Sequence, residues 1–171
     1  VSGGHSLIID VRGLGDYEIL GESQDDAVGE AFDKVGKLLN LPYPGGPHIE
    51  RIAKEGDPSK FSYPRPMLNS DDLNLSFSGL KTAVLYSIRD LDNLDEHIAD
   101  IAASFQQAAI EVLVSKIKKA LIKTNRDTLI LAGGVAANML LRDEMNKLED
   151  EYGIKVRYPE MKHCTDNAAM I

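Results

Sequence analysis

The periods at which apolar and polar residues recur along the chain predict most of its secondary structure. Strand-like apolar runs at residues 5–12 and 17–20 flank a glycine-rich tetrapeptide that is typical of a hairpin turn. Apolar residues at three- and four-residue spacing then predict a helix from Ser23 to Leu39. Proline and glycine at 41–47 predict the end of that helix, because proline cannot continue it and glycine permits the turn.

The same periodicity analysis extends to the C-terminus and indicates a mixed α/β fold. Residues 56–76 are rich in Pro, Ser, Asn and Asp and predict an irregular excursion, whereas 98–122 is the longest periodic segment and predicts a long helix. Strands that alternate with helices in the C-terminal half predict parallel crossover connections. The other predicted elements are helices at 48–54, 83–90 and 138–149, strands at 126–131 and 154–158, and the start of a final helix at 165–167.

Composition and charge narrow the class of protein. The 171 residues are 43% hydrophobic and 27% charged, which is ordinary for one globular domain or slightly more. A single cysteine argues against a disulfide scaffold. No apolar run is long enough for a membrane span and no secretory signal is present, so we expect neither membrane insertion nor export. The net charge of −8 does not suggest a free-standing nucleic-acid binder, but an RNA held by other segments or subunits is compatible with it. The chain opens without Met and ends abruptly, so we interpret it as a piece of a longer protein.

Two glycine pairs at strand ends are candidates for binding a nucleotide. Gly133 and Gly134 follow an apolar run and precede a helix, where glycine allows a ligand to approach the backbone and the helix start favours an anion. Gly3 and Gly4 precede the first strand and expose N–H groups that can cradle a phosphate. The alternative for either pair is a turn that needs glycine only for its backbone conformation and binds no ligand. Together they could hold opposite ends of one nucleotide.

Acidic residues suggest a ribose contact and a cation ligand. Asp33 lies at the edge of the apolar stripe of the first helix, and its carboxylate could accept hydrogen bonds from both ribose hydroxyls. The nearby Asp25, Asp26 and Glu30 are predicted to lie in or near the first turn of that helix, and the plain alternative for all four is a solvated helix face. Asp166 could ligate a cation through oxygen, or it could simply cap the final helix.

Six segments, taken together, resemble one protein family. They occur in order and at family spacing over nearly the whole chain, which corresponds to about the second half of a family member. The family is TsaD, the tRNA threonylcarbamoyladenosine transferases, formerly called Gcp or O-sialoglycoprotein endopeptidases. The segments are residues 1–5, 29–34, 43–47, 77–82, 131–138 and 164–170.

The resemblance implies a fold and an activity. The implied fold is the actin-like ATPase fold of sugar kinases, heat-shock ATPases and actin, with residues 1–171 forming a single partial domain that is mostly the second lobe. The implied reaction moves a threonylcarbamoyl group from threonylcarbamoyl-AMP to the exocyclic amine of adenosine 37, in tRNAs that read codons beginning with A. We expect the isolated chain to be inactive, because part of the active site would lie outside it.

The resemblance also implies roles for individual residues. Asp166 would be one ligand of a divalent metal, iron or zinc, shared with a His-x-x-x-His pair N-terminal to Val1. The nucleotide ligand would be threonylcarbamoyl-AMP or ATP/ADP. The phosphate and acyl part would meet Ser2, Gly3 and Gly4. The ribose and base would meet Asp33, Gly46, Glu50 and Asn138, with Gly133 and Gly134 in the adjoining wall.

The implied partners are tRNA, a paralogous partner subunit and an ATPase subunit, with no membrane, and homo-oligomerisation is left open. The implied location is the bacterial cytoplasm, or mitochondria in a eukaryote. Two alternatives stay open at this point. One is a metal-dependent O-sialoglycoprotein endopeptidase, the older name of the family. The other is a non-catalytic lobe that binds nucleotide or serves in assembly.

Overall fold

The long helix α4 (Ile98–Thr124) lies at the centre of the computed structural model, which describes residues 1–164. Its small and apolar side chains are buried on most sides, and Phe105 meets the ring of Phe32 edge-on at 5.0 Å. Within the described range it is the one helix long and apolar enough to cross a membrane. However, 67% of its most apolar stretch is buried inside the fold, as in the core helix of a globular domain.

The N-terminal helices α1 (Val28–Leu38) and α2 (Gly45–Ala53) approach each other closely through glycine. A Cβ on Gly36 would lie 2.8 Å from the Cα of Gly45, a distance that no side chain tolerates. The same two glycines therefore let the two backbones touch. Helices α3 (Ser78–Arg89) and α5 (Met139–Tyr152) pack against α4 from other directions.

The strands form two small sheets. Strands β1 (Leu7–Gly13) and β2 (Asp16–Glu22) pair antiparallel, and β3 (Thr128–Ile130) pairs parallel with β4 (Lys155–Arg157). The sheets are joined by an ion pair in which Arg126 Nε donates to the buried carboxylate of Asp10 at 2.6 Å. This hydrogen bond holds the pKa of Asp10 below its ordinary value.

The prediction of a first helix from Ser23 was wrong at its start. Ser23 instead forms an isolated bridge with Leu75, and α1 begins at Val28. Asp25, expected in the first turn, lies outside the helix and accepts hydrogen bonds from the backbone N–H groups of Phe77 and Ser78. Burial raises the pKa of Asp25, but the hydroxyls of Ser76 and Ser78 together with these two N–H groups outweigh it and lower the pKa.

That long-range cap also explains why α3 begins at Ser78, five residues before its predicted start. The remaining predicted elements up to residue 158 are confirmed with shifted ends, and the last two strands are parallel as predicted. The excursion at 56–76 contains no helix or strand apart from the bridge at Leu75. The predicted final helix at 165–167 lies outside the described residues.

Candidate nucleotide-binding site

The two glycine turns predicted to act together are in direct contact. The amine of Val1 donates to the carbonyl of Ala132 at 2.8 Å, and the N–H of Val135 donates to the carbonyl of Val1 at 3.2 Å. Gly133 has a φ of +93°, and a Cβ there would lie 2.3 Å from the Val1 carbonyl oxygen. The contact between the two turns therefore requires glycine at position 133, whether or not the turns bind a ligand.

The N-terminal loop rests on the start of α1. The carbonyl of Ser2 accepts from Gly29 N–H at 3.2 Å, and the hydroxyl of Ser6 accepts from Val28 N–H at 3.0 Å. Gly3 and Gly4 face outward, with no atom within 4 Å of a Cβ at either position. Internal packing thus makes no demand for glycine there. An open glycine loop over a helix N-terminus is an arrangement that accommodates an anion.

Asn138 lies at the junction of the second glycine turn and α5. Its Oδ1 accepts from Leu141 N–H at 3.0 Å and caps α5, while its Nδ2 donates to Gln106 Oε1 at 2.8 Å. Asn138 and Gln106 are both buried, with 7% of their surface exposed. The amide orientation of Asn138 is consequently determined by two partners on different helices.

The carboxylates of the two acidic candidates, Asp33 and Glu50, each accept a hydrogen bond from the first turn of a helix. Asp33 Oδ1 accepts from Gly45 N–H, at the start of α2, at 2.8 Å. Glu50 Oε1 accepts from Met139 N–H, at the start of α5, at 2.9 Å. Gly46, next to Gly45, has open space around it. Hydrogen bonds from backbone to side chain therefore link α1, α2 and α5 in a row, and Asn138 leads from α5 back to the second glycine turn.

The other three acidic residues of the first segment do not join this row. Asp26 and Glu30 pair with Lys34, and Asp26 also lies 3.6 Å from Lys81. Asp25 caps α3, as described above. Of the three, only Glu30 lies on α1, so the alternative of a solvated helix face suits Glu30 alone, while Asp25 and Asp26 precede the helix.

Two supporting residues were missed by the sequence predictions, Ser6 and Gln106. Each is a polar residue at a buried position, Ser6 immediately before β1 and Gln106 on the buried stripe of α4. Buried polar groups need hydrogen-bond partners, so a polar residue in a buried stripe is a signal that sequence alone could have supplied. The identity of the partner could not be read from the sequence.

The site does not contain a metal-ligand set within the part of the chain that the structure describes. Up to Cys164, no three His, Cys, Asp or Glu side chains come together as ligands. The predicted ligand Asp166 lies outside the described residues. Residues 1–164 therefore do not fit a metal centre on their own.

Comparison with known proteins points to one family. Residues 1–171 match the TsaD family, described as tRNA N6-adenosine threonylcarbamoyltransferase. Proteins of that name from Thermosipho africanus and Polaromonas naphthalenivorans are each 53% identical over all of this chain, covering 52% and 48% of their own lengths. The same name is carried by a Dichelobacter nodosus protein that is 50% identical. The chain thus spans about half the length of the curated relatives it matches.

Proposed function

The chain belongs to the TsaD family of tRNA N6-adenosine threonylcarbamoyltransferases, and on that basis we propose that it forms the nucleotide-binding half of such an enzyme. The observation that carries the proposal is the contact between the two glycine turns at the start of α1. In this proposal Gly3 and Gly4 face the phosphate and acyl part of threonylcarbamoyl-AMP. Asp33, Glu50 and Asn138 line the ribose and base.

The proposed reaction is an acyl transfer to tRNA. The exocyclic amine of adenosine 37 attacks the carbamoyl carbon, a C–N bond forms, the bond from that carbon to the phosphate oxygen breaks, AMP leaves and the amine loses a proton. The amine is a weak nucleophile, so positioning and electrostatic stabilisation of AMP supply most of the rate. The open glycine loop on α1 stabilises negative charge on the leaving phosphate. A divalent metal would act as a Lewis acid, and we propose Asp166 as the ligand that this chain contributes.

We propose that the chain is mostly the second lobe of an actin-like ATPase fold, with its sheet completed by a strand before Val1. Within residues 1–164, β1 and β3 each pair with one strand only. The Arg126–Asp10 ion pair joins β1 to the residue two positions before β3, so the two sheets face each other across a pair of side chains. Val1 bonds to Ala132, two residues after β3 ends. We therefore place the proposed strand before Val1 between the two sheets.

The outer face of the hairpin supports the same assignment. Ile9 lies opposite Ile19 and Val11 opposite Tyr17, and all four side chains are exposed. A contiguous apolar face of this kind marks a contact surface. Because the curated relatives are about twice as long as this chain, we assign the face to the rest of the same polypeptide.

Adenine nucleotide should protect the chain against thermal unfolding. ADP at one hundred times its Kd is expected to add about 2.7 kcal/mol, a shift of several degrees in Tm. Gly4→Val should leave the Tm of the free chain unchanged but abolish most of the ADP shift, since the added side chain fills the open loop. Gly13→Val, equally open but on the hairpin, serves as the matched control. Protection by a sialylated glycopeptide in place of ADP would favour the endopeptidase alternative.

The isolated chain should bind iron or zinc weakly and transfer no threonylcarbamoyl group to tRNA. Joining it to the remaining half of the Thermosipho africanus relative should restore transfer, measured as modified adenosine after digestion of the tRNA. Val11→Lys should block that restoration without lowering the Tm of the chain alone, because Val11 is exposed until the other half covers it. Transfer by the 171-residue chain alone, supplied with adduct and metal, contradicts the proposal. A stable hybrid without transfer supports the assembly alternative.

A further inference from the structure

Arg142, on the first turns of α5, contacts one segment that precedes this helix in the sequence and one that follows it. Its Nε donates to the carbonyl of Ala136, in the 3₁₀ helix Gly134–Ala137, at 2.6 Å. Its Nη2 donates to the carbonyl of Pro159 at 3.2 Å and lies 3.3 Å from the sulfur of Cys164. The guanidinium therefore joins the second glycine turn to the segment at 159–164.

The ring of Tyr158 supports this geometry. The guanidinium carbon of Arg142 lies 4.9 Å from the ring centroid, and the Tyr158 hydroxyl donates to Asn146 Oδ1 and lies 3.3 Å from the Arg142 carbonyl oxygen. A guanidinium is planar, so with its carbon held over the ring its separate N–H groups are aimed at separate acceptors. A lysine ammonium has neither the planar fork nor the reach for both carbonyls.

We infer that Arg142 is a positioning residue that couples the glycine turn to the 159–164 segment. The inference rests on the proposed function, because the turn is proposed to line the nucleotide. By holding Ala136, Arg142 fixes the turn that begins at Gly133 and ends at Asn138. Nucleotide bound at the turn then stabilises the 159–164 segment through the same guanidinium.

Cys164 provides a direct readout, because it is the single cysteine of the chain and is 1% exposed. Its rate of reaction with a disulfide reagent such as DTNB measures opening of the 159–164 segment. Arg142→Met and Arg142→Lys should each raise that rate at least tenfold at a temperature where both variants are folded. Lys147→Met, an exposed change on the same helix, should leave it within twofold.

ADP tests the coupling itself. In the parent chain, saturating ADP should slow the Cys164 reaction about fivefold, and in Arg142→Met it should leave the rate unchanged even where calorimetry shows ADP bound. A purely structural role would alter Tm without removing the effect of ADP on the Cys164 rate.

Unchanged thiol rates in both Arg142 variants overturn the inference, as does ADP bound to the parent chain with no effect on Cys164. If the parent chain binds no ADP, the proposed function fails, and the thiol rates without ADP still decide whether Arg142 joins the two segments.

Discussion

Replacing Gly133 with alanine is expected to destabilise the chain by about 3 kcal/mol, because an L-residue at positive φ costs about 1–2 kcal/mol and a steric clash adds to it. The added Cβ would lie 2.3 Å from the Val1 carbonyl oxygen and 3.3 Å from the Ser2 Cβ. Relief of that clash separates the two glycine turns, so ADP binding should be lost together with stability. Urea unfolding and calorimetric titration with ADP measure the two effects.

The neighbouring glycine provides the control for this substitution. Gly134 does not have a positive φ, and the nearest atom to a Cβ there is the Cys164 carbonyl oxygen at 4.0 Å. Gly134→Ala should therefore change stability by less than about 1 kcal/mol. Equal losses for the two variants would show that the Val1 contact does not determine the conformation of the turn.

Replacing Asn138 with alanine is expected to cost about 3 kcal/mol, since loss of a helix N-cap costs about 1–2 kcal/mol and an unsatisfied buried amide about 1–3 kcal/mol. The first contribution comes from the N–H of Leu141, and the second from the side chain of Gln106. The measurement is the free energy of unfolding from urea titration, with the Kd for ADP as a second readout.

Asn138→Asp separates the structural role from the proposed ligand contact. Aspartate keeps the acceptor for Leu141 N–H, and Gln106 can turn its own amide N–H toward the new carboxylate. Less than half of the alanine loss is therefore expected in stability. The amide donor is gone, however, so ADP affinity should fall as far as in Asn138→Ala. Wild-type ADP affinity in Asn138→Asp would contradict a donor role for this side chain.

Local patterns predicted the elements of this fold better than their ends. The apolar period of α4 predicted its start at Ile98, because a buried helix repeats its signal over many turns. The start of α3 was predicted five residues late, because its cap is Asp25, more than fifty residues earlier in the chain. A cap supplied from another segment has no local sequence signature.

The candidate site shows the same division. Asp33 was singled out from its position beside the apolar stripe of the first helix, and in the structure its carboxylate accepts from Gly45 N–H at the start of α2. The sequence did not predict which partner each carboxylate would contact, and Asp26 on the same segment pairs with Lys34 instead. Arg142 was not predicted, because both of its backbone acceptors are carbonyls that every residue type carries.

The sequence by itself determined the α/β class, the glycine turns and the family, because periodicity, glycine placement and motif spacing are all properties of the chain order. Only the tertiary structure decided that Val1 bonds at Ala132, so that Gly133 serves the contact between the turns while Gly3 and Gly4 stay open. The reason is physical. A local pattern records which groups must be buried or turned, but which distant backbone group satisfies each hydrogen bond is settled only when the whole core packs.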